Sequence, residues 1–299
     1  MAPPAPNAPV EIAVGAMIVR TIAPSDLAQH ARSIASGFDE LWVVEDLPFA
    51  GGVSQAMAVL EATSGIGGAD GPVVGHGIAP APFRNPAALA MEWATVAELH
   101  PGRFVGGIGH GVGSWMAQIG ETVGSPLTLL EETIDAVQRL LAGECVSLSG
   151  RYVSLHDVGL VFPPRQPPLV SAGVLGPKSL ALAGRVAGGT ILPEGQGPAE
   201  IAAARTRIDE GMSGRADGAT HRLTVFAAFH CGDRSELGTP NPDAPQGWEA
   251  VADRPAVVAS KLRTLADAGA DAVVLVPLGV DVVGQLQLAA ANIAPLIRG

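Results

Sequence analysis

Short apolar runs recur along the chain, and each precedes a segment whose apolar residues follow helical spacing. The runs are rich in β-branched residues, as buried strands are. In chain order they are EIAVGAMIV, ELWVVE, PVVGHGIA, RFVGGIG, PLVSAGV, GGTIL, RLTVFAAF and DAVVLVPLG. Eight strand–helix units in succession predict an α/β fold, a (β/α)8 TIM barrel. A doubly wound open sheet is the alternative, because periodicity does not show whether a sheet closes.

The segments between the runs carry residues that begin and end helices. Ser25 and Asn85 are predicted N-caps, since their side-chain oxygens can accept hydrogen bonds from free N–H groups of the first turn. Gly143 and Gly269 stand just beyond helical segments, where a residue of positive φ commonly ends a helix. These signals support helices between the strands.

Two connections are longer than the loops that usually join the strands and helices of a barrel. Residues 143–167 predict a small hairpin with a Pro-rich return, and residues 231–254 predict a polar, turn-rich insertion or lid. No linker divides the rest, so residues 10–299 are expected to form a single domain. Residues 1–9, MAPPAPNAP, are expected to be a flexible N-terminal tail.

Composition narrows the class of protein. With 47% hydrophobic and 16% charged residues, the chain has material for a large core and is not disordered. The net charge of −11 comes without a basic stripe, so neither nucleic acid nor an anionic membrane is an expected partner. The sequence shows no signal-peptide pattern and no long unbroken apolar run, and Cys145 and Cys231 lie far apart. We therefore expect a soluble, cytoplasmic protein with reduced thiols.

Candidate chemistry lies just after the strands, because the active sites of barrels form at the C-terminal ends of their strands. Polar residues are few there: Arg20 follows the first run, Glu45 and Asp46 the second, and His110 the fourth. Glycine fills half of the twelve positions 102–113. A backbone with so few side chains can turn tightly or let a ligand approach it closely.

A second glycine-containing loop, SAGVLGPKS, opens a helix after the fifth run. The free N–H groups of a helix start can hold a phosphate, and Lys178 adds positive charge, although the loop also fits a plain tight turn. The glycines of GGIGHGVGSW fit no G-x-G-x-x-G register, and neither metal-ligand spacing nor a nucleophile elbow occurs. Together these features predict a bound cofactor that brings its own reactivity, and no metal.

Five segments of the chain resemble the luciferase-like monooxygenase superfamily and, within it, the deazaflavin (coenzyme F₄₂₀)-dependent oxidoreductases. They are GFDELWVVED, GHGIAPAPFRNPAALAMEWATVAELHPGRFVGGIGHG, LEETIDAVQRLLAGE, GRYVSL and GPKSLALAGRVAGGTIL. The combination of R-x-P-A with PGRF-x-x-G-x-G is the specific part of the likeness. It runs from about Val14 to Gly197 and continues weakly through DAVVLVPLG.

The resemblance implies a barrel with an insertion, usually a homodimer, that binds a flavin-like ring at its C-terminal face. It also implies a non-prolyl cis peptide bond at Gly77–Ile78, behind the ring. The residues that it implies for cofactor binding come from four loops: Glu45, Gly77, Ile78, Gly109, Gly111, Trp115, Ala172, Gly173, Val174 and Gly176. The last four of these would hold the cofactor phosphate.

Two residues are candidates for moving a proton at the substrate, as hydride transfer requires. They are Asp46 and His110, either of which could instead only hydrogen-bond within its loop. Many deazaflavin enzymes have Asp-His after the second strand, where this chain has Glu45 and Asp46. The histidine often used near the reacting carbon is therefore absent from that position.

Other departures concern the substrate. Val112 stands where related sugar-phosphate dehydrogenases have a glutamate acid. Pro193 and Gln196 stand where those enzymes hold the substrate phosphate with threonine and lysine. A sugar-phosphate substrate is therefore not expected.

The resemblance implies an oxidoreductase that transfers a hydride between coenzyme F₄₂₀, an 8-hydroxy-5-deazaflavin, and a small organic substrate. One alternative is an FMN-dependent monooxygenase that uses dioxygen and a separate reductase. Another is a catalytically silent barrel that binds a cofactor without turnover. A third is a cofactor-free lyase or isomerase that uses Lys178 or an acid.

Overall fold

A computed structural model describes residues 12–68, 70–215, 218, 220–237 and 247–298. The expected tail at residues 1–9 lies outside the described residues, and so does the middle of the connection at 231–254.

The strands of the described chain confirm all eight predicted runs. In chain order they are β1 (Ala13–Ile18), β2 (Glu40–Val43), β3 (Val73–Pro80), β4 (Phe104–Gly109), β5 (Val146–Ser149), β6 (Ser154–Val158), β7 (Leu169–Gly173), β8 (Gly189–Leu192), β9 (Arg222–Cys231), β10 (Ala250–Ala252) and β11 (Ala272–Pro277). The antiparallel pair β5–β6 is the hairpin predicted within residues 143–167.

The helices follow the strands as predicted, except that one helix is added and the last helical segment forms two helices, α9 and α10. They are α1 (Leu27–Ile34), α2 (Gly52–Ala62), α3 (Pro86–Leu99), α4 (Gly113–Gln118), α5 (Pro126–Leu141), α6 (Pro177–Val186), α7 (Pro198–Met212), α8 (Pro255–Asp267), α9 (Val282–Asn292) and α10 (Ala294–Arg298). Helix α4 is the addition, a short helix after the glycine-rich loop. None of the helices in the described ranges has both the length and the apolar character needed to cross a bilayer.

The predicted helix caps are confirmed in three of four places. Asn85 accepts a hydrogen bond from the Ala87 N–H at 2.9 Å, and Gly143 and Gly269 have φ values of 82° and 111°. The prediction for Ser25 is wrong, because α1 begins after Asp26, and no side chain caps its first turn.

The sheet closes, which decides between the two predicted architectures. Its parallel strands follow the order β1-β2-β3-β4-β7-β8-β9-β11, and β11 pairs with β1 again. Ala272 lies opposite Ala13 at that last seam. The structure is therefore a (β/α)8 TIM barrel, and the open-sheet alternative is wrong.

Two clusters of apolar residues form the core of the barrel. The smaller one fills its interior and consists of Met17, Trp42, Val105, Ile191, Phe226 and Val274. Trp42 and Phe226 meet edge to face there, with ring centroids 5.3 Å apart. The larger cluster lies between the outside of the strands and the surrounding helices.

An ion pair with a buried carboxylate lies at the N-terminal ends of the strands. Glu40, which is buried, accepts a hydrogen bond from Trp42 Nε1 at 2.8 Å and forms an ion pair with Arg222 on the opposite wall. The active sites of barrels form at the opposite, C-terminal end of the strands, which is therefore the expected location of the site.

One carboxylate joins the first strand to the last helix. Asp39 Oδ2 accepts from the Val14 N–H at 2.8 Å and from Arg298 Nε at 3.1 Å. Arg298 also donates to the Gly37 carbonyl at 3.1 Å. The junction between the first and last parts of the barrel is therefore held by these side-chain hydrogen bonds as well as by the pairing of β1 with β11.

Candidate active site

The C-terminal ends of β1, β2 and β4 bring together a cation, a carboxylate and two aromatic rings. Arg20 Nη1 donates to Asp46 Oδ2 at 2.9 Å, and each side chain stays about a quarter exposed. The Arg20 guanidinium lies 5.0 Å from the ring centroid of Phe49 and 6.0 Å from that of Trp115. The sequence predicted Arg20, Asp46 and Trp115 in this region, but not Phe49.

Glu45, although adjacent to Asp46, turns away from it, and both of its carboxylate oxygens accept hydrogen bonds. Its Oε1 accepts from Arg84 Nη2 at 2.6 Å and from the Gly52 N–H at 3.1 Å, and its Oε2 accepts from Arg84 Nη1 at 3.0 Å. Burial opposes its charged form, but hydrogen bonds from His76 and Arg84 outweigh this and lower the pKa of Glu45 to about 2. The Glu45 carboxylate is therefore ionised, and both of its oxygens are engaged in hydrogen bonds.

His76 extends this network into the wall of the barrel. Its Nδ1 accepts from Trp93 Nε1 at 3.4 Å, so in the neutral ring Nε2 carries the proton. That Nε2 lies 3.4 Å from Glu45 Oε2, and the imidazole is fully buried. Arg84, Glu45, His76 and Trp93 are called the wall network below.

A second acid, Glu194, follows β8 at the same end of the barrel. Burial raises the pKa of its carboxyl, its own backbone N–H lowers it, and the charge of Asp46 raises it further against an opposing effect of Arg20. Sequence reasoning assigned this residue no role, because its neighbours come from β1 and β2. Arg20, Asp46 and Glu194 are called the mouth cluster below.

The floor of the site is formed by Ile78. The peptide bond between Gly77 and Ile78 is cis, as the resemblance implied. A Cβ on Gly109 would overlap Ile78 Cδ1, and one on Gly173 would lie 2.6 Å from Ile78 Cγ2. The Ile78 side chain thus occupies the space that a side chain at either position would need. The sequence did not reveal this reason for the two glycines.

His110 connects the loop after β4 to the start of α6. Its Nε2 lies 3.1 Å from Ser179 Oγ. Burial lowers the pKa of His110, with a smaller opposite effect of the Pro126 carbonyl, so the neutral ring is favoured. Gly111 beside it has a φ of 74° and allows the loop to turn.

The start of α6 is open, as an anion site requires. No side chain caps its first turn, and a Cβ on Gly176 would meet nothing within 4 Å. Ala172 and Val174 are buried, and the Val174 N–H donates to the Ile191 carbonyl at 3.2 Å. The Val174 N–H is therefore committed to the sheet, and Gly176 offers the accessible backbone.

His230 is a further polar residue at this end that sequence reasoning missed. It lies four residues after Phe226 on β9 and so shares its inward face. Its Nδ1 is 3.2 Å from the Leu278 carbonyl oxygen, and its Nε2 is 3.5 Å from Glu236 Oε2. The alternation along RLTVFAAFHC was the signal that could have located it. Within the described ranges, no three His, Cys, Asp or Glu side chains group as metal ligands would.

Comparison with known proteins identifies the family. The sequence pattern of the family described as luciferase-like monooxygenase matches residues 10–237. The chain belongs to this family.

The curated relatives and solved structures agree with that assignment. An F420-dependent glucose-6-phosphate dehydrogenase of Microbacterium testaceum is 30% identical over 147 residues, which are 47% of this chain and 44% of that protein. The chain spans about half the length of such curated relatives.

Two solved structures share the fold over nearly their whole length. An F420-dependent secondary alcohol dehydrogenase, solved with an F420-acetone adduct, superposes with a TM-score of 0.83 at 17% identity, over 97% of this chain and 100% of that one. The coenzyme F420 dependent tetrahydromethanopterin reductase of Methanopyrus kandleri gives 0.80 at 18%, over 95% and 99%. At these identities the likeness establishes the barrel.

Proposed function

We propose that this protein is an F₄₂₀-dependent oxidoreductase that transfers a hydride between the deazaflavin and a small organic substrate. The names of its relatives support this, as does the family to which the chain belongs. The observation that carries the proposal is the open start of α6 at Gly176, beside the floor made by Ile78. The open start of α6 suits the anionic tail of the cofactor, and Ile78 offers a surface for its flat ring.

The cofactor surface extends from α6 to the loop after β4. Exposed Gly176 and Lys178 leave room and positive charge for the phosphate, next to the free N–H groups of the first turn. Ile78, which lies against Gly109 and Gly173, would support the ring, and Trp115 would add an aromatic surface to the same opening. When bound, the deazaflavin supplies or accepts the hydride.

The remaining predicted residues orient these surfaces. His110 holds the β4 loop to α6 through Ser179, and Glu45 holds the β2 loop to Arg84. Asp46 accepts a hydrogen bond from Arg20 at the opening. The predictions of a catalytic role for Asp46 and for His110 stay predictions.

The substrate is uncharged in this proposal. The positive charge of Arg20 is already matched by Asp46, and Pro193 and Gln196 offer no cation after β8. A phosphorylated substrate would meet acids rather than bases in the mouth cluster, at a repulsive cost. Alcohols and ketones without a phosphate group suit this site.

A fluorescence titration tests the cofactor. The purified protein is titrated with F₄₂₀ and separately with FMN, and F₄₂₀ is expected to bind more tightly. Preference for FMN would support the monooxygenase alternative, and binding of neither would support the cofactor-free barrel.

A pair of variants tests the phosphate position. Gly176→Asp places a negative charge in the open space and is expected to weaken F₄₂₀ binding at least about tenfold. Gly214→Asp is the matched control, because Gly214 is also exposed, a Cβ there also meets nothing within 4 Å, and it follows α7 outside the cofactor surface. Equal affinity of the two variants would exclude Gly176 from the phosphate site.

Assembly and location follow from the resemblance alone. The proposal includes a homodimer in the cytoplasm and a single domain over residues 10–299. Sedimentation velocity of the purified protein measures the oligomeric state, and a monomer at micromolar concentration would contradict the dimer.

A further inference from the structure

The backbone that carries Ile78 lies at a break in the pairing of β3 with its neighbours. On one side, β3 pairs with β2 as far as His76, which lies opposite Val43. On the other side, its pairing with β4 shifts register between His76 and Ala79, so that two residues of β3 face one residue of β4. His76 is therefore the last residue before Ile78 that is paired with both neighbouring strands.

The His76 side chain is held from two directions, between the sheet and the helices α2 and α3. Trp93 Nε1 donates to His76 Nδ1 at 3.4 Å, and His76 Nε2 faces Glu45 Oε2 at 3.4 Å. The imidazole lies so close to the start of α2 that a Cβ on Gly52 would overlap Nε2. An apolar side chain could fill this buried space without the cost of burying ring nitrogens, but it would lack the two directional contacts.

The position of His76 is passed on to the floor of the site. A Cβ on Gly107 would lie 2.9 Å from the His76 carbonyl oxygen and 2.9 Å from Ile78 Cγ2, so both atoms pack against the same point of β4. The Ile78 side chain continues from there onto Gly109 and Gly173. Because no strand pairing intervenes, a movement of His76 moves Ile78 as well.

We propose that His76 is a positioning residue of this site, which fixes the Ile78 floor for the cofactor ring through its contacts with Trp93 and Glu45. This rests on the proposed function. Glu45 is adjacent to Asp46, so the wall network joins the floor to the β2 loop that lines the opening. The side chains of the wall network thereby hold two surfaces of the site in a constant relation to each other.

Methyl NMR of the cofactor-free protein tests the positioning directly. Isoleucine δ1 methyl groups are labelled with ¹³C, and the Ile78 signal is the one that Ile78→Val lacks. His76→Met fills a similar volume without an N–H group and is expected to shift this signal. His76→Gln, whose amide can accept from Trp93 and donate to Glu45, is expected to leave it near its wild-type position. An unmoved signal in His76→Met, or equal shifts in both variants, would overturn the proposal.

Two adjacent glycines allow a second test that leaves His76 in place. Gly52→Ala brings a methyl group onto His76 Nε2 and is expected to shift the Ile78 signal as well. Gly51→Ala is the matched control, because a Cβ there meets nothing within 4 Å. Val258→Ala, at a buried position on α8, controls for a general loss of stability. A signal that moves equally in Gly52→Ala and in either control would contradict the role of His76.

Turnover with acetone and isopropanol as probes tests the consequence for hydride transfer. In His76→Met a displaced floor is expected to lower kcat by up to about 10²-fold with little change in KM, and His76→Gln is expected to restore most of kcat. A merely structural role would reduce the amount of folded protein but leave kcat per bound F₄₂₀ unchanged, and that result would overturn the proposal. Failure of the wild type to bind F₄₂₀ would reject the proposed function, while the methyl signals would still decide whether His76 positions Ile78.

Discussion

The wall network and the mouth cluster both begin at β2, on the adjacent residues Glu45 and Asp46, yet they are built differently. In the wall network two acceptor atoms of Glu45 meet Arg84, Gly52 and His76, and its pKa falls to about 2. In the mouth cluster Arg20 pairs with Asp46 alone, and the pKa of Glu194 rises. Complete pairing belongs to groups that hold the fold. Incomplete pairing leaves a group free to exchange a proton, which is what a site of chemistry needs.

The largest expected effect is on the wall network. Glu45→Gln leaves the Arg84 charge without its partner, and its predicted cost is about 3 kcal/mol of unfolding free energy at neutral pH. Because the folded-state pKa of Glu45 is lowered, this stability is present above the ordinary glutamate pKa. It is lost as the pH falls through that value towards about 2.

Urea denaturation of both proteins across that range measures the effect. Glu98→Gln is the control, since Glu98 forms an exposed pair with Arg165 and such pairs contribute little to stability. Similar losses for the two variants would mean that the wall network contributes no more than a surface pair.

A somewhat smaller effect is expected on the floor between the two clusters. Gly109→Ala brings a Cβ onto Ile78 Cδ1 and within 2.9 Å of the Gly173 carbonyl oxygen, so stability should fall by about 2 kcal/mol. F₄₂₀ affinity should fall with it, because Ile78 must move. Gly214→Ala, in open space after α7, should change neither. Wild-type stability and affinity in Gly109→Ala would show that Ile78 does not depend on this glycine.

The mouth cluster should respond in chemistry more than in stability. Arg20→Met removes a partly exposed pair, so the unfolding free energy should change by about 1 kcal/mol or less. Arg20 opposes the charge of Asp46 at Glu194, so its removal should raise the pKa of Glu194 further. Infrared titration measures that pKa. A downward shift would contradict the arrangement of charges described for the mouth cluster.

The smallest expected effect concerns the bond between His110 and Ser179. Ser179→Ala removes one partly buried hydrogen bond, which contributes about 1 kcal/mol or less to stability. The loop after β4 should loosen, and F₄₂₀ affinity should fall a few-fold. Thr206→Ala, on an exposed face of α7, is the control. A loss of several kcal/mol in Ser179→Ala would show that His110 carries the fold and not the cofactor loop.

Local patterns were enough to predict the eight barrel strands and the cis peptide region, since alternation, caps and family motifs are written along the chain. Closure of the sheet could not be predicted from local patterns, because it requires β11 to pair with β1. Helix α4 was missed because its six residues follow a glycine-rich loop and are too few to show a period.

The site was predicted in position but not in detail. Asp46, His110 and Trp115 were predicted near the opening from their place after strands. Glu194 was missed because its raised pKa comes from burial in the folded chain and from the charge of Asp46, 148 residues away along the chain. The glycines at 109 and 173 were read as space for a ligand, whereas the Ile78 side chain occupies that space. Interactions between distant segments decide these properties, and no local pattern records them.

Asp39 joins β1 to α10 by accepting hydrogen bonds from both Val14 and Arg298. A closed barrel has no privileged starting strand, and this carboxylate holds the two segments together whether or not a peptide connects them. The order of the strands could therefore be rotated. A circular permutant that links α10 to β1 and opens instead in the exposed turn at Ser213–Gly214 would keep every seam of the ring and the whole mouth.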